Sequence, residues 1–171
     1  INPHDSLSNE ASAAMIIGHV ENGVELAKKY KLPEQIIDFI RTHHGTTKTG
    51  YFYQKQINSN GNDEVDDLKF TYKGPLPTTR ETAVVMLADS IEAASRSLVA
   101  KNPENIRNLV ENIFRQKVEL GQLEYAPLTF KDMRVLKSLF QEKLINIYHV
   151  RMNYPENETN PDLSGEFHTS I

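Results

Sequence analysis

The sequence predicts an all-α domain. Apolar residues recur at three- and four-residue steps in five separate segments, and each of those segments carries helix-capping or helix-stopping residues at its ends. No segment shows a convincing apolar–polar alternation that would mark a strand.

The first helix is predicted to begin after Ser8, whose hydroxyl suits an N-cap, and to run to about Tyr30. Its apolar positions include Ala11, Ala14, Met15, Ile17, Val20, Val24 and Ala27; His19 shares a helical face with Met15, Ile16, Asn22, Gly23 and Leu26. Pro33 suits the first turn of a second helix, and Glu34 beside it favours the positive end of the helix dipole. Ile36, Ile37, Ile40, His43 and His44 then follow at helical spacing, with Gly45 as the stop, so the histidine pair is expected on the last turn. Thr46 to Pro77 is predicted as one long connecting loop (46–77), with the aromatic parts Tyr51-Phe52-Tyr53, Phe70 and Tyr72 docked and Asn58 to Asp67 mobile.

Thr78 with Glu81 resembles a capping box for the next helix. That helix is the most apolar in the chain, through Ala83, Val84, Val85, Met86, Leu87 and Ala88, and is expected to be central and buried. Asp89 interrupts it before Ile91, Ala93, Ala94 and Leu98. Asn102-Pro103 starts another helix, with Ile106, Leu109, Val110, Ile113, Phe114 and Val118 as its core stripe and Gly121 as its end. Thr129 with Asp132 caps the last long helix, which includes Phe130, Met133, Leu136, Leu139, Phe140, Leu144 and Ile147. Beyond Pro155 the residues are polar and broken by Pro161 and Gly165. The expected organisation is therefore one domain over 1–155, of about five or six helices, and a flexible tail over 156–171.

A chain of 171 residues can bury a sizeable single core. Its net charge of −4, with no basic block, argues against a duplex nucleic acid partner, which needs a clustered cationic face. A small phosphate-bearing ligand needs only a few local cations and stays open. There are no cysteines, so a disulfide framework and a thiolate metal site are excluded, and any metal must take His, Asp, Glu or water. The longest apolar runs are far too short to span a membrane, and no signal peptide pattern is present. Ile1 in place of an initiator methionine predicts a piece of a longer protein.

The ionisable residues inside apolar patterns are the candidates for chemistry. An isolated carboxylate in an apolar helix costs several kcal/mol or more, so Asp89 must be paired, protonated or metal-bound. Its plainer reading is an ion pair with Arg96 or another cation. His19, taken singly, reads as a hydrogen-bonded core histidine. Adjacent residues of a helix diverge by about 100°, so His43 and His44 share a target only near a helix end; otherwise one is core and the other surface. His4, His149 and His168 lack this apolar helical context and are taken as non-ligands. Three imidazoles and a carboxylate suit a borderline divalent metal.

The segments Ile16-Ile17-Gly18-His19-Val20, His43-His44-Gly45-Thr46, Tyr51-Phe52-Tyr53, Tyr72-Lys73-Gly74-Pro75-Leu76-Pro77, Met86 to Arg96 and Tyr148 to Pro155 together resemble the HD-domain phosphohydrolases of the membrane-anchored PgpH type. The resemblance covers nearly the whole chain to Pro155. It implies an HD-domain-like helical bundle holding two divalent transition-metal ions, iron or manganese, that hydrolyses cyclic di-AMP to the linear dinucleotide pApA. It implies a place on the cytoplasmic face of a bacterial membrane, as part of a larger membrane protein in which only the remainder touches the bilayer. By the same resemblance His19, His43 and His44 match ligands of one metal and Asp89 a ligand of the other. The reaction would proceed through water activated between two metals about 3.5–4 Å apart, with no nucleophilic side chain. Lys73 and Arg80 could contact phosphates and Tyr51, Phe52, Tyr53 and Tyr72 could stack on adenine; the plainer readings are surface charge and loop anchoring.

One departure from the family pattern stands out. The family carries an earlier histidine and a His-Asp pair on helices preceding the Asn2-Pro3-His4-Asp5 segment, and His4-Asp5 does not match that pair. The resemblance thus implies the C-terminal part of such a domain, inactive or weak by itself and binding one metal or none. The alternatives are a degenerate HD domain that binds a nucleotide or partner without catalysis, and a plain helical module whose histidines are structural.

Overall fold

A computed structural model describes residues 6–60 and 64–152, without the side chains of 149–152. The His4-Asp5 dipeptide, His168 and the expected tail lie outside the described residues. Six α-helices form among them: α1 (Asn9–Lys29), α2 (Glu34–Thr42), α3 (Gly50–Asn60), α4 (Arg80–Arg96), α5 (Pro103–Glu119) and α6 (Phe130–Met152), with a 3-10 turn at Asp67–Phe70. The all-α expectation holds. Among the described residues extended pairing is limited to an isolated bridge between Lys48 and Thr71.

Several ends form as their sequences dictate. Ser8 Oγ accepts from the Ala11 amide and Asn102 Oδ1 from the Asn105 amide, each satisfying a donor that a helix start leaves free. Thr129 and Asp132 cap each other at the start of α6. The cap of α4 is shifted by one residue from the expected Thr78–Glu81 pair. Thr79 Oγ1 accepts from the Thr82 amide, and the Thr79 amide donates to Thr82 Oγ1.

The predicted loop over 46–77 is corrected. It contains α3, and its aromatic residues dock only in part: Phe52, Phe70 and Tyr72 are buried and Tyr53 half-buried, but Tyr51, expected to dock, is exposed because it lies on the outer face of α3. Residues 58–60, expected to be mobile, complete α3. Intrinsic propensity is poor for Gly50-Tyr51-Phe52-Tyr53 and for Asn58-Ser59-Asn60. The helix forms because Phe52 packs against Ala13 of α1 and Phe70 of the 3-10 turn.

Two apolar clusters divide the molecule. Leu87 and Ile91 of α4, Ile106, Val110 and Phe114 of α5, and Leu144 and Tyr148 of α6 make the larger one. Tyr148 Oη lies 2.8 Å from Ser95 Oγ, which itself donates to the Glu92 carbonyl, so the tyrosine hydroxyl is the donor that ties α6 to α4. The smaller cluster is Ala13, Phe52 and Phe70. On α1 the buried residues are Ser12, Ala13 and Ala27, whereas Met15, expected to be apolar and inward, is 52% exposed. Small side chains are required there because a Cβ at Gly23 would come within 2.9 Å of Ile40 Cγ2 across the α1–α2 approach.

Candidate metal centre

Three elements deliver the histidines. His19 lies midway along α1, His43 is the C-terminal cap of α2, and His44 follows in the turn that ends at Gly45. The pair is therefore just beyond the helix rather than on its last turn as expected. Gly45 adopts φ +53°, and a Cβ there would stand 2.4 Å from Gln122 Oε1 and 2.8 Å from Met86 Cε. Only glycine satisfies both the left-handed backbone and the close approach. Gln122 clamps the turn, accepting from the Thr46 amide at 2.9 Å and donating to Thr46 Oγ1 at 2.9 Å.

One nitrogen from each of His19, His43 and His44 lies within 4.8 Å of the others. The tautomers of two follow from their partners. His19 Nδ1 bonds the Ile16 carbonyl at 2.5 Å and His43 Nδ1 the Ile40 carbonyl at 2.7 Å. A carbonyl only accepts, so each Nδ1 carries the proton and each Nε2 presents a lone pair. Those two Nε2 atoms face one another at 3.2 Å. Two lone pairs at that distance repel unless a cation or proton lies between them. Nitrogens bound to one divalent ion at about 2.0–2.1 Å stand about 3 Å apart, so the spacing fits a shared metal. The backbone carbonyls behind the rings are the usual orienting partners of metal-binding histidines.

His44 faces Asp89 on α4, Nδ1 to Oδ2 3.5 Å. The contact has ion-pair geometry, yet His44 is neutral near pH 7, because burial first, then the charges of His43, His19 and Lys117, lower its pKa to about 3. Neutrality is the state a metal ligand needs. Asp89 itself is half-exposed, which corrects the expectation of an all-round buried helix: α4 buries Ala83, Met86, Leu87 and Ile91 but turns Glu81, Val85, Glu92 and Ala93 outward. Nor does Asp89 pair with Arg96, whose Nε donates to Glu92.

Two further residues adjoin this centre: Tyr72, expected from the sequence as an adenine-stacking candidate, and Lys117, which the sequence did not single out. The Tyr72 ring stacks on His44 with centroids 4.2 Å apart and planes 25° apart, and burial with the Asp89 charge raises its phenol pKa to about 12. Lys117 of α5 is only 5% exposed; burial lowers its pKa to about 8, against the opposing pull of Asp89. The signal for Lys117 was its seven-residue spacing from Val110, on the inward stripe; the position expected there, Val118, is 56% exposed.

Four of the residues expected to bind substrate are dispersed. Lys73 lines a small cavity of about 60 Å³ with Glu21, Arg41, His44 and Tyr72, and its ammonium is paired with Glu21 at 2.7 Å. Arg80 begins α4, about 13 Å along the axis from Asp89, and donates to the Pro127 carbonyl. Tyr53 donates to Asp67, and Tyr51 is 72% exposed with its ring edge-on to Phe52. The structure brings Lys73 alone of these four to the histidine group.

A model of the HD domain family matches residues 1–94 of the chain. Cyclic-di-AMP phosphodiesterase PgpH of Bacillus subtilis (strain 168) is 38% identical over 155 residues, covering 91% of this chain and 22% of its own length. The protein of that name from Listeria monocytogenes is 34% identical over 158 residues, covering 92% and 22%. The chain thus spans about a fifth of the length of these curated relatives. The crystal structure of the L. monocytogenes PgpH HD domain superposes with a TM-score of 0.79 at 34% identity, over 87% of this chain and 69% of that one. The crystal structure of that HD domain in complex with cyclic-di-AMP gives 0.81 at 34% identity, over 86% and 68%.

Proposed function

The chain belongs to the HD domain family, and from that premise we propose that it is the cytoplasmic HD domain of a metal-dependent phosphodiesterase that hydrolyses cyclic di-AMP to pApA. The observation that carries this reading is the pair of Nε2 lone pairs, on His19 and His43, held 3.2 Å apart by rings whose other nitrogens are fixed on backbone carbonyls. The structural relative bound to cyclic-di-AMP supports the ligand class. No helix among the described residues is long and apolar enough to cross a membrane.

His19, His43 and His44 would hold a divalent iron or manganese ion, with Asp89 beside His44 contributing to a second. A metal bound there supplies Lewis acidity toward a phosphoryl oxygen and lowers the pKa of water. The protein's part is orientation. The Ile16 and Ile40 carbonyls fix the tautomers, Tyr72 covers one face of His44, and Gln122 holds the turn. Among the described residues the gathered donors are three imidazoles with one carboxylate at their edge, without the bridging aspartate that the family resemblance implies. The chain tested alone is therefore expected to bind one metal and to turn over cyclic di-AMP slowly or not at all.

The experiment is to incubate the purified chain with manganese or ferrous iron and cyclic di-AMP, following pApA and bound metal together. Metal binding with slow or absent turnover supports the proposal. Turnover at the rate of an intact HD domain overturns the weak-activity part. Tight dinucleotide binding without turnover, even after a His-Asp-bearing segment of the family is joined to the chain, favours a degenerate binding domain. Absence of bound metal leaves the histidines structural.

A further inference from the structure

We infer that Lys117 is a substrate-binding residue whose ammonium contacts a phosphate oxygen of the cyclic dinucleotide, an inference that rests on the function proposed above. The Lys117 side chain is 5% exposed, and among the described residues its ammonium has no hydrogen-bond partner and no carboxylate within 4.0 Å, while its tip is not fully enclosed. A largely desolvated charge with no anion beside it is costly, and its open tip leaves room for an anion to approach.

The surroundings say which side the anion comes from. Ile106, Val110, Phe114 and Lys117 form the inward stripe of α5, and the first three pack on Leu87 and Ile91 of α4. The Lys117 carbonyl accepts the Gln122 amide at 2.9 Å, and Gln122 in turn clamps Thr46, two residues after His44. The lysine thus projects from the end of α5 that is keyed to the histidine turn, near enough for its charge to bear on His44 and for the Asp89 charge to bear on it. Two other basic groups near His44 are already paired, Lys73 with Glu21 and Arg41 with Glu34 and Asp38. Lys117 is a cation beside a candidate metal centre, with no carboxylate within 4.0 Å among the described residues. A phosphodiester supplies an anion, and an ammonium suits it as a point charge.

The test compares the wild-type chain with Lys117→Met and Lys117→Gln, measuring cyclic di-AMP affinity by equilibrium dialysis in the presence of manganese, bound manganese by elemental analysis, and Tm. Both variants are expected to bind cyclic di-AMP about tenfold to a hundredfold more weakly, the loss typical of a charged hydrogen bond. Both should hold wild-type amounts of manganese, and Lys117→Met should melt at higher temperature because an unpaired buried charge is gone. Unchanged dinucleotide affinity overturns the inference. So does a loss of manganese, which would make Lys117 a positioning residue for Asp89, or a lower Tm in both variants, which would make it structural. Failure of the wild-type chain to bind cyclic di-AMP overturns the proposed function itself, and is distinguishable because it requires no variant.

Discussion

The α4–α6 half and the α1–α3 half of this molecule bury their residues in different ways. In the first, large side chains interdigitate: Leu87, Ile91, Ile106, Val110 and Phe114 are all 2% exposed or less. In the second, α1 meets its neighbours through the small residues Ser12, Ala13, Gly23 and Ala27, so backbones come close, and the large buried side chains, Phe52 and Phe70 among them, come from the elements packed on it. The histidines belong to the second half and Asp89 with Lys117 to the first. One half is a packed platform, and the other is a thin layer that lays its imidazoles against it. The contact between them is polar and specific: Gln122 on Thr46, and Asp89 facing His44.

The most severe way to break the layer's function is His43→Ala with His44→Ala. Removing two of three imidazoles is expected to abolish manganese or iron binding by protein purified without chelator, while the far-ultraviolet CD spectrum keeps its helical shape. Retained stoichiometric metal would show that the centre lies elsewhere.

The platform should be the more sensitive half to truncation. Phe114→Ala is expected to cost about 3–5 kcal/mol by denaturant unfolding, since a fully buried aromatic leaves both lost contacts and a cavity. In the layer the reverse change should hurt: Ala13→Leu overpacks a site with no free volume and is expected to cost about 1–3 kcal/mol. If Ala13→Leu stabilises the protein, the layer is looser than the packing described here.

Acid should weaken the join through His44. Its folded-state pKa of about 3 lies below the ordinary 6.5, so between those values the unfolded chain takes up a proton that the folded chain refuses. Stability of the metal-free protein is expected to be level above pH 6.5 and to fall as pH drops toward 3, read as the urea midpoint. His44→Gln should flatten part of that fall. The smallest effect is expected at Tyr148→Phe, about 0.5–1.5 kcal/mol, because Ser95 keeps its bond to the Glu92 carbonyl when the tyrosine hydroxyl goes.

Much of this architecture was legible in the chain. Ser8, Asn102 and the Thr129–Asp132 pair mark helix starts by local hydrogen bonding alone, and that chemistry is complete within three residues. Gly45 and Gly121 mark helix ends with positive φ for a similar local reason. The misreadings share a cause. α3 has weak propensity and exists because Phe52 finds Ala13 and Phe70, residues about twenty to forty positions away. Met15 and Val118 fit a helical stripe as well as their neighbours do, and which stripe turns inward depends on what packs against it.

The sequence by itself determined the helices, most of their ends, and the presence of three imidazoles and a carboxylate inside apolar patterns, because spacing and capping act over a few residues. Only the tertiary structure decided that His19 and His43 face each other through Nε2, that His44 lies between Tyr72 and Asp89, and that the Lys117 side chain is buried with no carboxylate within 4.0 Å among the described residues. Those outcomes depend on how the α1–α3 layer docks on the α4–α6 platform, and docking is fixed by shape and burial across distant segments, which no local pattern encodes.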